Sequence, residues 1–80
     1  MFDAPLLHND EDVLFSYRIG GRALEIQVTG KCLVDIFRSD GTREGNEMAL
    51  RKNVERILRV ASDKVRRGTL SPVRLNATDF

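Results

Sequence analysis

Hydrophobic and polar residues alternate over residues 13–28 in two runs, which the pair Gly20-Gly21 separates. Alternation with a period of two is typical of a β-strand with one buried face, and a Gly-Gly pair favours a two-residue hairpin turn. Such a turn places Tyr17 opposite Leu24. It also places the other apolar residues in pairs on the same face, namely Phe15 opposite Ile26 and Val13 opposite Val28. The turn and the hydrophobic pattern therefore predict the same register.

A period between three and four residues predicts one long helix over residues 46–67. Its apolar stripe consists of Leu50, Val54, Ile57, Leu58, Ala61 and Val65. This stripe is typical of a helix that packs on a flat surface. Asn46 is the expected N-cap and Gly68 the expected residue after the C-terminus. We expect the stripe to cover the hairpin residues Phe15, Tyr17, Leu24 and Ile26, with Leu58 in that core.

The remaining elements are shorter. Thr29 is placed to cap a short helix over residues 30–38, whose inward stripe consists of Cys32, Leu33, Ile36 and Phe37. Residues 39–45 form a loop, and Val73, Leu75 and Ala77 mark a last strand. Eighty residues allow a single domain, with residues 1–11 as an extended lead and residues 12–80 as the folded body.

These elements predict a two-layer α+β fold of the order ββααβ. The hairpin buries one face, so both helices must cover that face. Two antiparallel helices then bring the chain back so that the last strand runs antiparallel to the second hairpin strand. We therefore expect an antiparallel three-stranded sheet of order 1-2-3, with both helices on one face.

Composition narrows the functional classes. Thirteen basic and twelve acidic residues leave a net charge of +1, whereas a dedicated nucleic-acid binder is usually far more basic. One cysteine allows no intrachain disulfide and no Cys-rich metal site. We find neither the pattern of a signal peptide nor an apolar run that would span a bilayer, so we expect a cytoplasmic protein with no membrane contact.

The long helix carries a candidate anion or partner contact on its polar face, made of Lys52, Arg56, Arg59 and Arg66. A helix laid on phosphates has this pattern. However, Asp63 lies within the face, and Glu55 with Arg59 and Asp63 with Arg67 are spaced as i, i+4 pairs. Such pairs are typical of a solvated helix, and no aromatic residue flanks the face to stack on bases.

Two further positions suggest chemistry but favour a structural interpretation. Gly30-Lys31 lies between a strand and a helix as in a phosphate-binding loop, yet Glu25 and Cys32 occupy positions where that motif needs Gly and Ser or Thr. Cys32 at a helix start would suit a nucleophile, but it shares the apolar stripe of its helix and the only histidine is His8.

Two surface groups are weighed in the same way. His8 with Asp10 and Asp12 has the donors of a metal site, but one histidine with flexible carboxylates makes a poor one, and a solvated lead is the favoured interpretation. The segment 40–45 could hold an anion before a helix, although an ordinary helix-helix connection has the same composition. We therefore assign no catalytic residue, no metal site and no cofactor.

The chain resembles a family of small bacterial proteins catalogued as domain of unknown function 1488. The resemblance rests on the hairpin at residues 13–28, on the run Val28-Thr29-Gly30-Lys31-Cys32-Leu33, on residues 57–64 before Gly68, and on a last strand that ends near Asp79. It implies a two-layer α+β fold and supplies no catalytic residue or ligand.

Three functions remain open from the sequence. A non-enzymatic interaction module that self-associates or binds a protein partner is favoured, because the outer face of the predicted sheet would stay open. That face carries Leu14, Ser16, Arg18, Ala23, Glu25, Gln27 and Arg74. The alternative is a nucleic-acid-binding accessory protein that uses the basic helix face. An enzyme is least expected, since no catalytic constellation is visible.

Overall fold

The structure is a computed structural model that describes residues 2 and 4–80. In chain order its strands and helices are β1 (Leu7–Asn9), β2 (Asp12–Ile19), β3 (Arg22–Val28), α1 (Gly30–Asp35), α2 (Arg43–Lys52), α3 (Val54–Arg66) and β4 (Val73–Leu75). A single 3₁₀ turn, Ala77–Asp79, follows β4. The described chain is thus an α+β fold with a four-stranded mixed sheet.

The predicted hairpin and its register are confirmed. Tyr17 faces Leu24, and the pairs Phe15–Ile26 and Val13–Val28 follow. Gly20 and Gly21 both adopt positive φ angles, 60° and 81°, which a primed two-residue turn requires. Tyr17 nevertheless stays 40% exposed. The reason is that β1 and β4 pair with the other end of the hairpin, so the turn end extends beyond the core.

The expected lead contains a strand. β1 pairs antiparallel with the start of β2 and places His8 opposite Val13. Phe2 packs edge-on against Phe15 with ring centroids 5.1 Å apart, and Leu6 also packs on the core. The described part of residues 1–11 therefore belongs to the folded body. The predicted start of the lead at Met1 lies outside the described residues, as does Asp3.

The predicted three-stranded antiparallel sheet is wrong in strand number and in orientation. The sheet has the order β1-β2-β3-β4, and β4 lies beside β3 but runs parallel to it. At one end of this pair Ser71 Oγ accepts from Glu25 N at 3.1 Å, and at the other Thr29 N donates to Leu75 O at 3.1 Å. The chain therefore returns to the end where β3 begins before β4 starts.

The lengths of the helices explain this orientation. β3 has seven residues and spans about 23 Å, whereas the six residues of α1 span about 9 Å. α1 is thus too short to carry the chain back along the sheet. The return is made by α3, whose thirteen residues span about 20 Å, and one return gives a parallel strand.

The single helix predicted over residues 46–67 is also wrong. Thr42 is the N-cap, with its Oγ1 accepting from Gly45 N at 2.9 Å, and Asn46 is buried inside α2. Asn53 separates α2 from α3. Its backbone lies at φ −117° and ψ 20°, and its side-chain amide donates to Ala49 O at 2.8 Å. This local bond competes with the helical pattern and ends α2.

Thr29 caps α1 as predicted, because its Oγ1 accepts from Cys32 N at 3.1 Å. The helix ends at Asp35 instead of residue 38. Arg38 adopts a positive φ of 64°, which a helix does not contain. The last strand likewise ends at Leu75, and the predicted strand residue Ala77 begins the 3₁₀ turn.

The core lies between the helices and one face of the sheet. The strands contribute Val13, Phe15, Ile26, Val28, Val73 and Leu75, and the helices contribute Cys32, Leu33, Ala49, Leu50, Ile57 and Ala61. Leu58 and Val65 are partly buried at its margin, so Leu58 is not the core residue that the stripe predicted. Ile57, with no exposed surface, holds that position.

Candidate cationic site at the α2–α3 junction

A depression of about 420 Å³ lies where α2 meets α3. Four cations line it, and we call it the cationic depression: Arg51, Lys52, Arg56 and Arg59, together with Asn53, Val54 and Glu55. Three of these cations belong to the basic face predicted from the sequence. Arg51 was not predicted, because the assumption of one straight helix placed it beside the face. The break at Asn53 brings it to the same depression.

Arg66, the fourth predicted residue, does not reach this depression. Its guanidinium donates to Asp63 Oδ1 at 3.0 Å in an i, i+3 pair, and its side chain is 78% exposed. Asp63 therefore pairs with Arg66 at i, i+3, and not with Arg67 at i, i+4 as expected. An exposed pair of this kind contributes little to stability and is typical of a solvated helix end.

The cations of the depression form no ion pair within the described residues. Across residues 2 and 4–80, the ion pairs within 4 Å join Lys64 to Asp79 and Arg66 to Asp63, and His8 Nε2 lies 2.5 Å from Glu47 Oε2. None of them involves Arg51, Lys52, Arg56 or Arg59. Glu55 lines the depression, so its formal charge is +4 −1 = +3. The formal charge of the depression is therefore larger than the net charge of the whole chain, which is +1.

Aromatic rings hold two of the three guanidinium groups. Arg56 lies over Phe37 at 5.5 Å and over Phe80 at 5.6 Å, and these rings pack edge-on with centroids 5.1 Å apart. Arg51 lies over Phe2 at 5.8 Å. Such cation–π contacts fix the position of a guanidinium without removing its charge. The expectation that no aromatic residue flanks the basic face is therefore wrong.

At the other end of α3 the cations are used for structure. Lys64 Nζ donates to Arg74 O at 2.6 Å and to Asp79 Oδ2 at 3.1 Å. Asp79 Oδ2 also accepts from Asn76 N at 2.7 Å and so closes the 3₁₀ turn. Burial raises the pKa of Asp79, but the bonds from Asn76 and Lys64 outweigh it and hold that pKa below its usual value. This cluster covers the outer edge of β4.

Cys32 is part of the core, as the structural interpretation predicted. Its side chain has no exposed surface, and burial, with a further contribution from the charge of Asp79, raises the pKa of the thiol to about 11. A thiol with this pKa is protonated near neutral pH and is a poor nucleophile. Lys31, its neighbour, is exposed on α1.

His8 has a structural partner. Its Nε2 lies 2.5 Å from Glu47 Oε2, and its side chain is 10% exposed, so it joins β1 to α2. Asp12 accepts from Gln27 Nε2 and from Gly30 N. Within the described part of the chain, no group of three or more His, Cys, Asp or Glu residues is placed to hold a metal ion.

The segment 40–45 is the start of α2. Asp40 Oδ1 accepts from Thr42 N at 2.9 Å and from its hydroxyl at 2.7 Å, and these bonds lower the pKa of Asp40. A Cβ at Gly45 would clash with Asp40 Oδ1, so the Asp40 side chain packs directly against the first turn of α2. The backbone amides of Thr42 and Gly45 are thus bonded to side-chain oxygens of the segment itself.

No protein-family model, no curated protein and no solved structure matches this chain. The resemblance to domain of unknown function 1488 stays a prediction. None of the described helices is both long enough and apolar enough to cross a bilayer.

Proposed function

We propose that this protein is a non-enzymatic interaction module that associates with a second copy of itself through the outer face of its sheet. The observation that supports it most is the open state of this face. The fully buried strand residues all lie on the inner face, whereas the outer face carries exposed residues, including Ser16, Arg18, Ala23, Glu25 and Arg74. Most of this face is polar, as a sheet face in contact with water must be, so the contribution of a partner would come from its apolar end.

The outer face has an apolar region at the β1 end. Leu7 lies opposite Leu14, and Leu7 is 62% exposed. A hollow of about 260 Å³ adjoins Leu7 and is also lined by Pro5 and Glu25. A partner that buried these two neighbouring leucines would remove their apolar surface from water and so stabilise the complex.

Charges of both signs follow on the same face. Arg18 and Arg74 are basic and Glu25 is acidic, and all three are exposed. Because a two-fold contact brings the same patch of both copies together, a patch with both signs can satisfy its own charges. This pattern favours a second copy over a strongly charged partner.

The free edge of the sheet lies on the same side as the apolar region. β1 pairs with residues 12–14 of β2, and no described strand pairs with residues 15–19 on that side. The opposite edge is covered, since Lys64 binds Arg74 O on β4. Unpaired strand edges favour association, so β2 extends the proposed contact surface.

A small chain also gains from association. A domain of this size buries roughly 60% of the surface of its unfolded chain, and burial between copies adds to its stability. A cytoplasmic location is part of the proposal. It is supported by the one cysteine of the chain, which is free and buried.

Sedimentation equilibrium over a range of protein concentrations tests this function. We expect a monomer–dimer equilibrium for the unmodified protein, and a shift to monomer for Leu7→Lys because the added charge would be buried in the contact. Met48→Lys is the matched control: Met48 is 61% exposed, but it lies on α2 away from the sheet. A monomer at every concentration, or equal weakening by both variants, would refute the proposal.

A further inference from the structure

We propose that the cationic depression is a binding site for single-stranded nucleic acid, with phosphates on Lys52 and Arg59 and an unpaired base on the guanidinium plane of Arg56. This inference goes beyond self-association and does not depend on it, because the depression lies on the helical layer and the proposed contact lies on the sheet.

The first step is charge. The four cations Arg51, Lys52, Arg56 and Arg59 have no carboxylate of the described chain within 4 Å, while Lys64 and Arg66 farther along α3 do. Folding thus brings four cations without an ion pair to one depression. An anionic partner that binds there releases its counterions, which gives affinity without further contacts.

The second step is the arrangement of the cations. Lys52, Arg56 and Arg59 are spaced at i, i+4 and i+7 on one side of the α2–α3 junction, so they extend over about 10 Å. Arg51 adds a guanidinium at one end. A row of this length matches a chain that carries a charge on each unit better than it matches a single small anion.

The third step is the stacking surface. Arg56 lies over both Phe37 and Phe80, yet its side chain remains exposed. Both ring centroids lie within 5.6 Å of the guanidinium carbon, and these contacts limit its movement. A guanidinium plane held in this way is a surface on which an unpaired base stacks.

The stacking surface selects the class of partner. Acidic peptides match the charges but carry no flat ring beside each carboxylate. A duplex presents phosphates but keeps its bases stacked inside, away from a concave surface of about 420 Å³. A single strand supplies both groups, since its bases are free to enter the depression.

Fluorescence anisotropy with a fluorescein-labelled oligothymidylate tests the site. We expect binding at low salt, with a slope of log K against log salt of about −1.4 to −2.1, because the phosphate contacts of Lys52 and Arg59, with Arg51 as a third, each contribute about −0.7 for a single strand. The double variant Lys52→Gln with Arg59→Gln should weaken binding about tenfold or more and reduce the magnitude of the slope by about 1.4.

The matched control is Arg66→Gln with Arg67→Gln, which removes the same charge from the other end of the helix. We expect it to change affinity by less than about twofold. Arg56→Lys keeps the charge and removes the plane, so we expect about fivefold weaker binding with an unchanged salt slope. Circular dichroism confirms that each variant is folded.

Four results would overturn the proposal. They are no binding at low salt, equal loss in the two double variants, equal competition by polyglutamate at the same charge concentration, and duplex DNA binding as tightly as the oligothymidylate. Polyglutamate competition would assign the depression to an acidic protein partner.

Discussion

The two ends of α3 carry the same type of residue in different surroundings. At the N-terminal end Arg56 and Arg59 face the cationic depression, and no described carboxylate lies within 4 Å of either. At the C-terminal end Lys64 pairs with Asp79, and Arg66 pairs with Asp63. The number and spacing of cations is therefore a poor guide to their role. The positions of the acids in the folded chain decide which cations remain available.

This difference has a structural consequence. Lys64 binds a main-chain carbonyl of β4 and a carboxylate of the 3₁₀ turn, so it secures the last segment of the chain. Arg56 secures itself on two aromatic rings and leaves its charge unpaired. We expect stability to depend on Lys64 at the C-terminal end and binding to depend on the cations at the N-terminal end.

The largest expected effect comes from truncating a core side chain of α3. Ile57 has no exposed surface, so Ile57→Ala should lower the free energy of unfolding by about 2–5 kcal/mol. Leu58→Ala is the control and should cost clearly less, because Leu58 is partly buried. Urea denaturation monitored by circular dichroism measures both. Equal losses of unfolding free energy in the two variants would mean that Ile57 is not more deeply buried than Leu58.

An intermediate effect separates the two ends. Asp79→Asn removes the ionic partner of Lys64 and should cost about 1–2 kcal/mol at neutral pH. The folded pKa of Asp79 lies below the ordinary value of 3.8. The carboxylate therefore contributes its stability above pH 3.8, and this contribution is lost as the pH falls through the folded pKa.

The measurement is the free energy of unfolding at a series of pH values from 7 to below 3.8. The gap between the unmodified protein and Asp79→Asn should narrow at the acid end of this series. Arg59→Gln is the comparison at the other end of α3, and its curve should stay parallel to that of the unmodified protein. A constant gap for Asp79→Asn would show that its bond to Asn76, instead of its charge, is what matters.

The smallest expected effect concerns the exposed pair. Arg66→Ala should change the free energy of unfolding by less than about 0.5 kcal/mol, because both members of the pair with Asp63 are accessible to solvent. Thermal denaturation at low and high salt is the measurement. A clear loss of stability that salt abolishes would mean that the pair of Arg66 with Asp63 is as important for stability as the pair of Lys64 with Asp79.

Local pattern was sufficient for the hairpin and insufficient for β4. The pairing of Phe15 with Ile26 follows from a two-residue turn and from alternation, both of which lie within a few residues. The orientation of β4 depends on how often the helices cross the sheet. The predicted number of crossings was wrong because α1 has only six residues and because the bond from Asn53 to Ala49 O separates α2 from α3.

The candidate site was predicted in part. Lys52, Arg56 and Arg59 share a helix face in any helical arrangement, so periodicity found them. Arg66 shares the periodicity, yet it pairs with Asp63 at a distance from the others. The rings under Arg56 could not be foreseen, since Phe37 and Phe80 come together only when α1 and the 3₁₀ turn pack side by side.

By itself the sequence determined the α+β class, the register of β2 with β3, the cap at Thr29 and the burial of Cys32, because each depends on neighbours within one or two elements. The tertiary structure alone decided the pairing of β1, the parallel orientation of β4 and the partners of the cations of α3. These properties depend on groups far apart along the chain, and only packing brings such groups within the few ångströms over which hydrogen bonds and ion pairs act.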